Sequence, residues 1–140
     1  GSYYGIVLNG FLMSEKTLHH EFSHIIDSYL QSDSDSREDA LFSEETWNSL
    51  NPKWFDGYSY DYGYESYLDD YTYFVDTYAT ISSTEDRARV LEYAMADFGR
   101  WTFEDAKGLQ KKLDYYCRCI RDAFDTTGWP EVLPWEQYLS

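Results

Sequence analysis

Residues 18–30 read Leu18-His19-His20-Glu21-Phe22-Ser23-His24-Ile25-Ile26-Asp27-Ser28-Tyr29-Leu30, and His20 to His24 spell H-E-x-x-H. Residues four apart share a helix face, so on a helix both imidazoles reach one Zn²⁺, and Glu21 beside them stands as general base for a water on that metal. The chain has three histidines, His19, His20 and His24, all in this stretch. The spacing predicts a helix over 14–30, N-capped by Ser14, with Glu15 at the positive end of its dipole. At about 100° per residue, Leu18, Phe22, Ile25, Ile26 and Tyr29 gather on one side as the expected core stripe. His20, His24 and Asp27 fall on the opposite side, where they are expected to face a second polar element. Asp27, one turn past His24, reads either as an acceptor that orients an imidazole or as a solvated carboxylate. His19 reads as a bystander at the rim.

Upstream, Tyr3 to Leu12 (YYGIVLNGFL) reads as a short strand with Asn9-Gly10 as turn punctuation. Gly1-Ser2 reads as an expression scar, so the native chain is expected to begin further upstream. Downstream, 31–40 (QSDSDSREDA) reads as a polar, acidic loop. Asp33, Asp35 and Glu44 echo a calcium loop there, but Glu38 stands where the sharp turn of such a loop needs Gly. A short helix is expected over 43–50, stopped before Pro52. The Tyr-, Asp- and Gly-rich segment 53–70 reads as irregular, and 71–81 as a strand or an extended entry into the next helix. That helix is expected over 82–98, opened by a capping box of Ser82 with Glu85 or of Ser83 with Asp86. Its apolar face is Ala88, Leu91, Ala94, Met95 and Phe98, and Gly99 ends it. A third helix is expected over 102–124, with the stripe Phe103, Leu109, Leu113, Tyr116, Ile120 and Phe124. Gly128-Trp129-Pro130 breaks the chain, and Trp135 and Tyr138 read as packing anchors in the tail.

The whole is one domain over 1–140, α+β and predominantly helical, with enough residues to bury a core. A formal charge of -15 excludes a basic patch for phosphates, so neither nucleic acid nor an anionic membrane surface is an expected partner. No apolar run approaches a membrane span. Fifteen tyrosines suit partly buried surfaces or a cleft lined with phenol hydroxyls. Cys117 and Cys119 are separated by one residue and point apart on a helix, so they do not bond to each other. They read as plain core or surface thiols.

Two histidines do not complete a catalytic zinc site. A third protein ligand is needed with one position left for water, and with no other histidine it must be a carboxylate. Glu85 is preferred because it opens a helix, and a second helix crossing the first brings a carboxylate to the pair on a fixed backbone. Glu92, Asp76 and Glu65 are the alternatives.

The segment H-H-E-F-S-H-I-I-D, followed downstream by Y-A-T-I-S-S-T-E-D-R-A (residues 78–88), resembles bacterial zinc-binding metallopeptidases of the gluzincin group. More distantly it is similar to the catalytic domains of anthrax lethal factor and the pro-pro endopeptidases. The resemblance covers roughly Leu18 to Met95, with a tail (LPWEQYL) of the same character. It implies a zincin-like metallopeptidase domain in which His20, His24 and Glu85 hold zinc and Glu21 is the general base. It further implies that Tyr78, seven residues before Glu85, donates to the developing oxyanion. A peptide or protein substrate is implied, as is an extracytoplasmic location, secreted or lipid-anchored at the bacterial surface. Arg89 departs from the pattern, since relatives often carry an acidic residue there, and the upstream strands usual for such folds are largely missing. The rival expectation is a zinc-stabilised, non-catalytic module that recognises a protein or glycan through its Tyr-rich surface.

Overall fold

The central fact of the architecture is a helix on which most of the others rest. The computed structural model describes residues 15–60, 70–96 and 99–139. Among them are five α-helices: α1 Glu15–Ser36, α2 Glu44–Ser49, α3 Ser83–Met95, α4 Gly99–Phe103 and α5 Lys107–Ala123. Short 3-10 turns span Thr77–Thr80 and Pro134–Glu136. Helices α1, α2, α4 and α5 and both turns all contact α3. The chain is thus predominantly helical, and no strand occurs among the described residues. The expected strand at Tyr3–Leu12, the Ser14 cap, Glu65 and Phe98 lie outside the described residues. No described helix is long and apolar enough to cross a membrane.

Helix α1 runs six residues further than its apolar period, through the acidic stretch expected to be a loop. No Gly or Pro interrupts 31–36, and the polar side chains find partners along the helix itself. The hydroxyls of Ser34 and Ser36 donate to the carbonyls of Gln31 (2.9 Å) and Ser32 (3.2 Å). Arg37 pairs with Asp33 one turn back at 2.8 Å. With Asp33 on Arg37 and Glu44 on Arg87, the calcium-loop arrangement is absent.

The face α1 buries also differs from the expected one. Leu18, Phe22 and Tyr29 are exposed, while His20, Ser23, Ile26, Asp27 and Leu30 are buried. The reason lies across the interface. Arg87 of α3 is fully buried and takes Asp27 through a two-pronged contact, Nε to Oδ1 and Nη2 to Oδ2 at 3.1 Å. It also donates to Glu44 at 2.6 Å, and the Tyr116 hydroxyl lies 3.3 Å from Asp27. Asp27 is therefore neither an imidazole acceptor nor a solvated carboxylate. It is the ionic tie between α1 and α3.

Helix α2 forms where expected, with Ser43 as N-cap accepting from Thr46 N at 3.0 Å and Trp47 fully buried. Segment 71–81 is neither a strand nor an extended entry throughout: 71–76 has no regular element, a 3-10 turn follows at Thr77–Thr80, and Asp76 caps that turn by accepting from Ala79 N at 3.0 Å. Helix α3 is shorter than its expected 82–98, ending at Met95, and Gly99 opens α4 instead of closing α3.

The expected single helix over 102–124 is two. Asp105 adopts φ 63°, a left-handed conformation that Asp tolerates, and this separates α4 from α5. No side chain caps α5; instead Leu109 N donates to the carbonyl of Thr72 at 2.8 Å. That approach requires Gly108, where an added Cβ would stand 2.4 Å from the Tyr73 ring and 2.7 Å from Thr72 O. Gly108→Ala is accordingly expected to lower stability by about 1–3 kcal/mol, read as a lower denaturant midpoint. An unchanged midpoint would show that the contact yields at no cost.

The rest of the α5 stripe packs as its period predicts. Phe103, Leu109, Leu113, Tyr116 and Ile120 are buried with Leu30, Trp47, Val90 and Leu91. Cys117 and Cys119 are buried and unbonded, and burial raises both thiol pKa values. Tyr138 stacks on Phe103 and donates to the Ala96 carbonyl at 3.0 Å, while Trp135 packs against the same core.

Candidate metal centre

The site is assembled by one cap and one crossing. Ser82 starts α3 by accepting from the backbone N of Glu85 at 3.2 Å, which frees the Glu85 side chain from the backbone. That side chain turns to α1 rather than back onto Ser82, so only half of the expected capping box forms. Glu85 Oε2 lies 2.9 Å from His20 Nε2, and Oε1 lies 3.3 Å from His24 Nε2. The two Nε2 atoms are 3.2 Å apart, with the rings nearly perpendicular at 80°. One donor atom from each of the three residues falls within 4.8 Å of the others. His20 is buried, whereas His24 and Glu85 are half-buried.

Charge follows from this geometry. Burial disfavours a charged His20, but Glu85 and Glu92 outweigh it and push its pKa up to about 9. Burial likewise opposes the Glu85 charge, yet its hydrogen bonds with His20 and His24 hold it well below the usual carboxylate range. The cluster thus keeps a carboxylate ionised and holds a proton among converging acceptors. Two imidazole nitrogens and a carboxylate are a donor set suited to zinc, the three-ligand set that catalytic zinc sites complete with a water.

A divalent cation must displace the His20 proton. The apparent affinity is therefore expected to rise about tenfold per pH unit below the His20 pKa of about 9, and to level off above it. Chelator-competition titrations across that range read this directly; a flat profile would contradict it.

The remaining candidates separate clearly. Glu92 is buried at 1% exposure, with Oε1 3.2 Å from His20 Nδ1, the nitrogen facing away from Glu85. It backs the imidazole and fixes the proton on Nδ1, the arrangement that holds metal-ligating histidines. Sequence reading had it only as an alternative ligand. The available signal was its place on the same helix, two turns beyond Glu85. Asp76 pairs with Arg89 at 3.1 Å and is not in the donor cluster. Tyr78 sits on the turn at Thr77–Thr80, its ring 6.0 Å from that of His20 and under the Arg89 guanidinium. Glu21 is exposed next to His20. His19 is 3.4 Å from Glu15, away from the cluster. No family model, no curated protein and no solved structure matches this chain.

Proposed function

We propose that the chain is a zinc-dependent peptidase domain, with His20, His24 and Glu85 as metal ligands, Glu21 as general base and Tyr78 as oxyanion donor. The observation that carries the reading is the convergence of the three donor atoms from α1 and α3 within 4.8 Å, with His24 and Glu85 only half-buried. The likeness of 19–27 and 78–88 to gluzincin motifs supports it and supplies the roles of Glu21 and Tyr78. Zinc held there would act as a Lewis acid on the peptide carbonyl and lower the pKa of a water ligand.

The protein's own residues do the rest. Glu92 keeps the His20 ring oriented with Nε2 towards the cluster. Glu21, exposed and beside His20, takes a proton from the attacking water and returns it to the departing amine. The Tyr78 hydroxyl donates to the oxygen that gains charge. A net charge of -15 favours neutral or basic peptides over acidic ones. A secreted or lipid-anchored location at the bacterial surface belongs to the same proposal.

Cleavage of a mixed peptide library by zinc-loaded protein tests the reading. We expect products that disappear on chelation and return with zinc. Zinc bound with no cleavage of any peptide would overturn it and leave the metal as a tie between α1 and α3 in a binding module.

A further inference from the structure

Arg89 stands at the centre of a second set of contacts behind the donor cluster. Its Nη1 lies 3.1 and 3.4 Å from the two oxygens of Glu92 and 3.4 Å from His20 Nδ1 itself. Its Nε stands 3.1 Å from Asp76 Oδ2 as an ion pair without hydrogen-bond geometry. Its Cζ stands 4.4 Å from the centre of the Tyr78 ring. Glu92 orients His20, and Asp76 caps the turn that carries Tyr78. One guanidinium thus touches the group behind a candidate ligand, the group that holds the turn, and the candidate oxyanion donor itself.

We propose that Arg89 is a positioning residue that couples the orientation of His20 to the placement of Tyr78. The inference rests on the metal-centre reading above and adds to it a device that the motif does not contain. Glu92 is almost fully buried, and a buried carboxylate needs charged partners to keep its place. Besides His20, its cationic neighbours are Arg89 and the more distant Lys16, 4.0 Å away and 41% exposed. Without Arg89 the Glu92 carboxylate loses its main fixed cation, and the His20 ring loses a fixed acceptor. On the other side, the face of Tyr78 and the carboxylate of Asp76 lose the same partner. Lysine does not substitute, because a single ammonium lacks the planar fork that reaches Glu92 and Asp76 together while stacking on the ring.

The test is a pair of double-mutant cycles on the full chain. Zinc affinity is measured by competition with a chromophoric chelator, and the ligand field by the visible spectrum of the cobalt-loaded protein. Arg89→Met is expected to weaken zinc binding by about 10–100-fold and to alter the cobalt spectrum. In a Glu92→Gln background the same substitution is expected to cost clearly less affinity than in wild type, the remainder coming from the direct 3.4 Å approach of Arg89 Nη1 to His20 Nδ1. A merely structural role for Arg89 would lower affinity equally in both backgrounds, and that result overturns the proposal. The second cycle reads kcat for a cleaved peptide. Arg89→Met is expected to lower kcat in wild type and to have little effect when combined with Tyr78→Phe; additive losses overturn the coupling. Should Arg89→Met fail to fold, Arg89→Lys keeps the charge without the fork and is expected to show the same non-additivity with a smaller loss. Wild-type protein that binds no zinc overturns the metal reading itself, whereas unchanged affinity of Arg89→Met in a zinc-binding wild type overturns this inference alone.

Discussion

Glu21→Gln is expected to keep its zinc and to lose peptide cleavage by about 10²–10⁴-fold. The side chain is exposed on α1 beside His20 and makes no hydrogen bond or ion pair to any described residue. The amide has the same shape and takes no part in packing, so stability should change by no more than about 0.5 kcal/mol. It is not one of the converging donors, so metal stoichiometry should also stand. What the amide lacks is basicity, and only a step that needs a proton acceptor feels that loss. Side-by-side metal analysis, denaturation and peptide cleavage separate the three effects. Cleavage at the wild-type rate by the variant would remove Glu21 from the chemistry.

Arg87→Met is expected to cost about 3–5 kcal/mol of folding stability, the largest structural effect we anticipate for one substitution. Arg87 has no exposed surface, and Asp27 is 2% exposed. Their paired contact, with Glu44 as a further acceptor, joins α1 to α3. The guanidinium also lies over the rings of Phe42 and Trp47, at 5.0 and 5.5 Å. Removing it leaves the buried Asp27 carboxylate without a fixed counter-charge, held only by the neutral donors Gln31 Nε2 at 2.7 Å and the Tyr116 hydroxyl at 3.3 Å. Pairing the change with Asp27→Leu removes the stranded charge, so the double variant should recover much of the loss. Denaturant unfolding measures both. A single variant within about 1 kcal/mol of wild type would contradict the role given to this ion pair. The same tie holds His20 and His24 opposite Glu85, so loss of metal affinity should accompany loss of stability.

Much of the site was legible in the sequence because it depends on local rules. The i, i+4 spacing of His20 and His24 puts them on one helix face wherever that helix packs. Ser82 marks the start of α3, and a carboxylate in that first turn is well placed to leave the helix towards a neighbour. What local rules do not carry is the partner across an interface. Hydropathy alone assigns Leu18, Phe22 and Tyr29 to the core and sets His20 and Asp27 on the opposite side, facing a second polar element. The second polar element is α3, whose Arg87, Glu85 and Glu92 satisfy that face so fully that it is the buried one, and Leu18, Phe22 and Tyr29 are left exposed. The extension of α1 to Ser36 has a similar cause, since Arg37 and the serine hydroxyls stabilise a stretch whose composition reads as loop. Glu92 and Arg89 were visible as charged residues on a helix, but their roles arise only when His20, Asp76 and Tyr78 are brought around them. The break at Asp105 accompanies a close approach of Thr72 and Tyr73 to Gly108, a contact between segments far apart in the chain.

Metal analysis of the purified protein, with His24→Ala and Glu85→Ala beside wild type, tests the central claim most directly. We predict one zinc per chain in the wild type and none in either variant, each remaining folded by circular dichroism. Wild-type protein that takes up no zinc after incubation with excess metal would contradict the account. Zinc retained by Glu85→Ala but lost by His24→Ala would remove Glu85 from the ligand set.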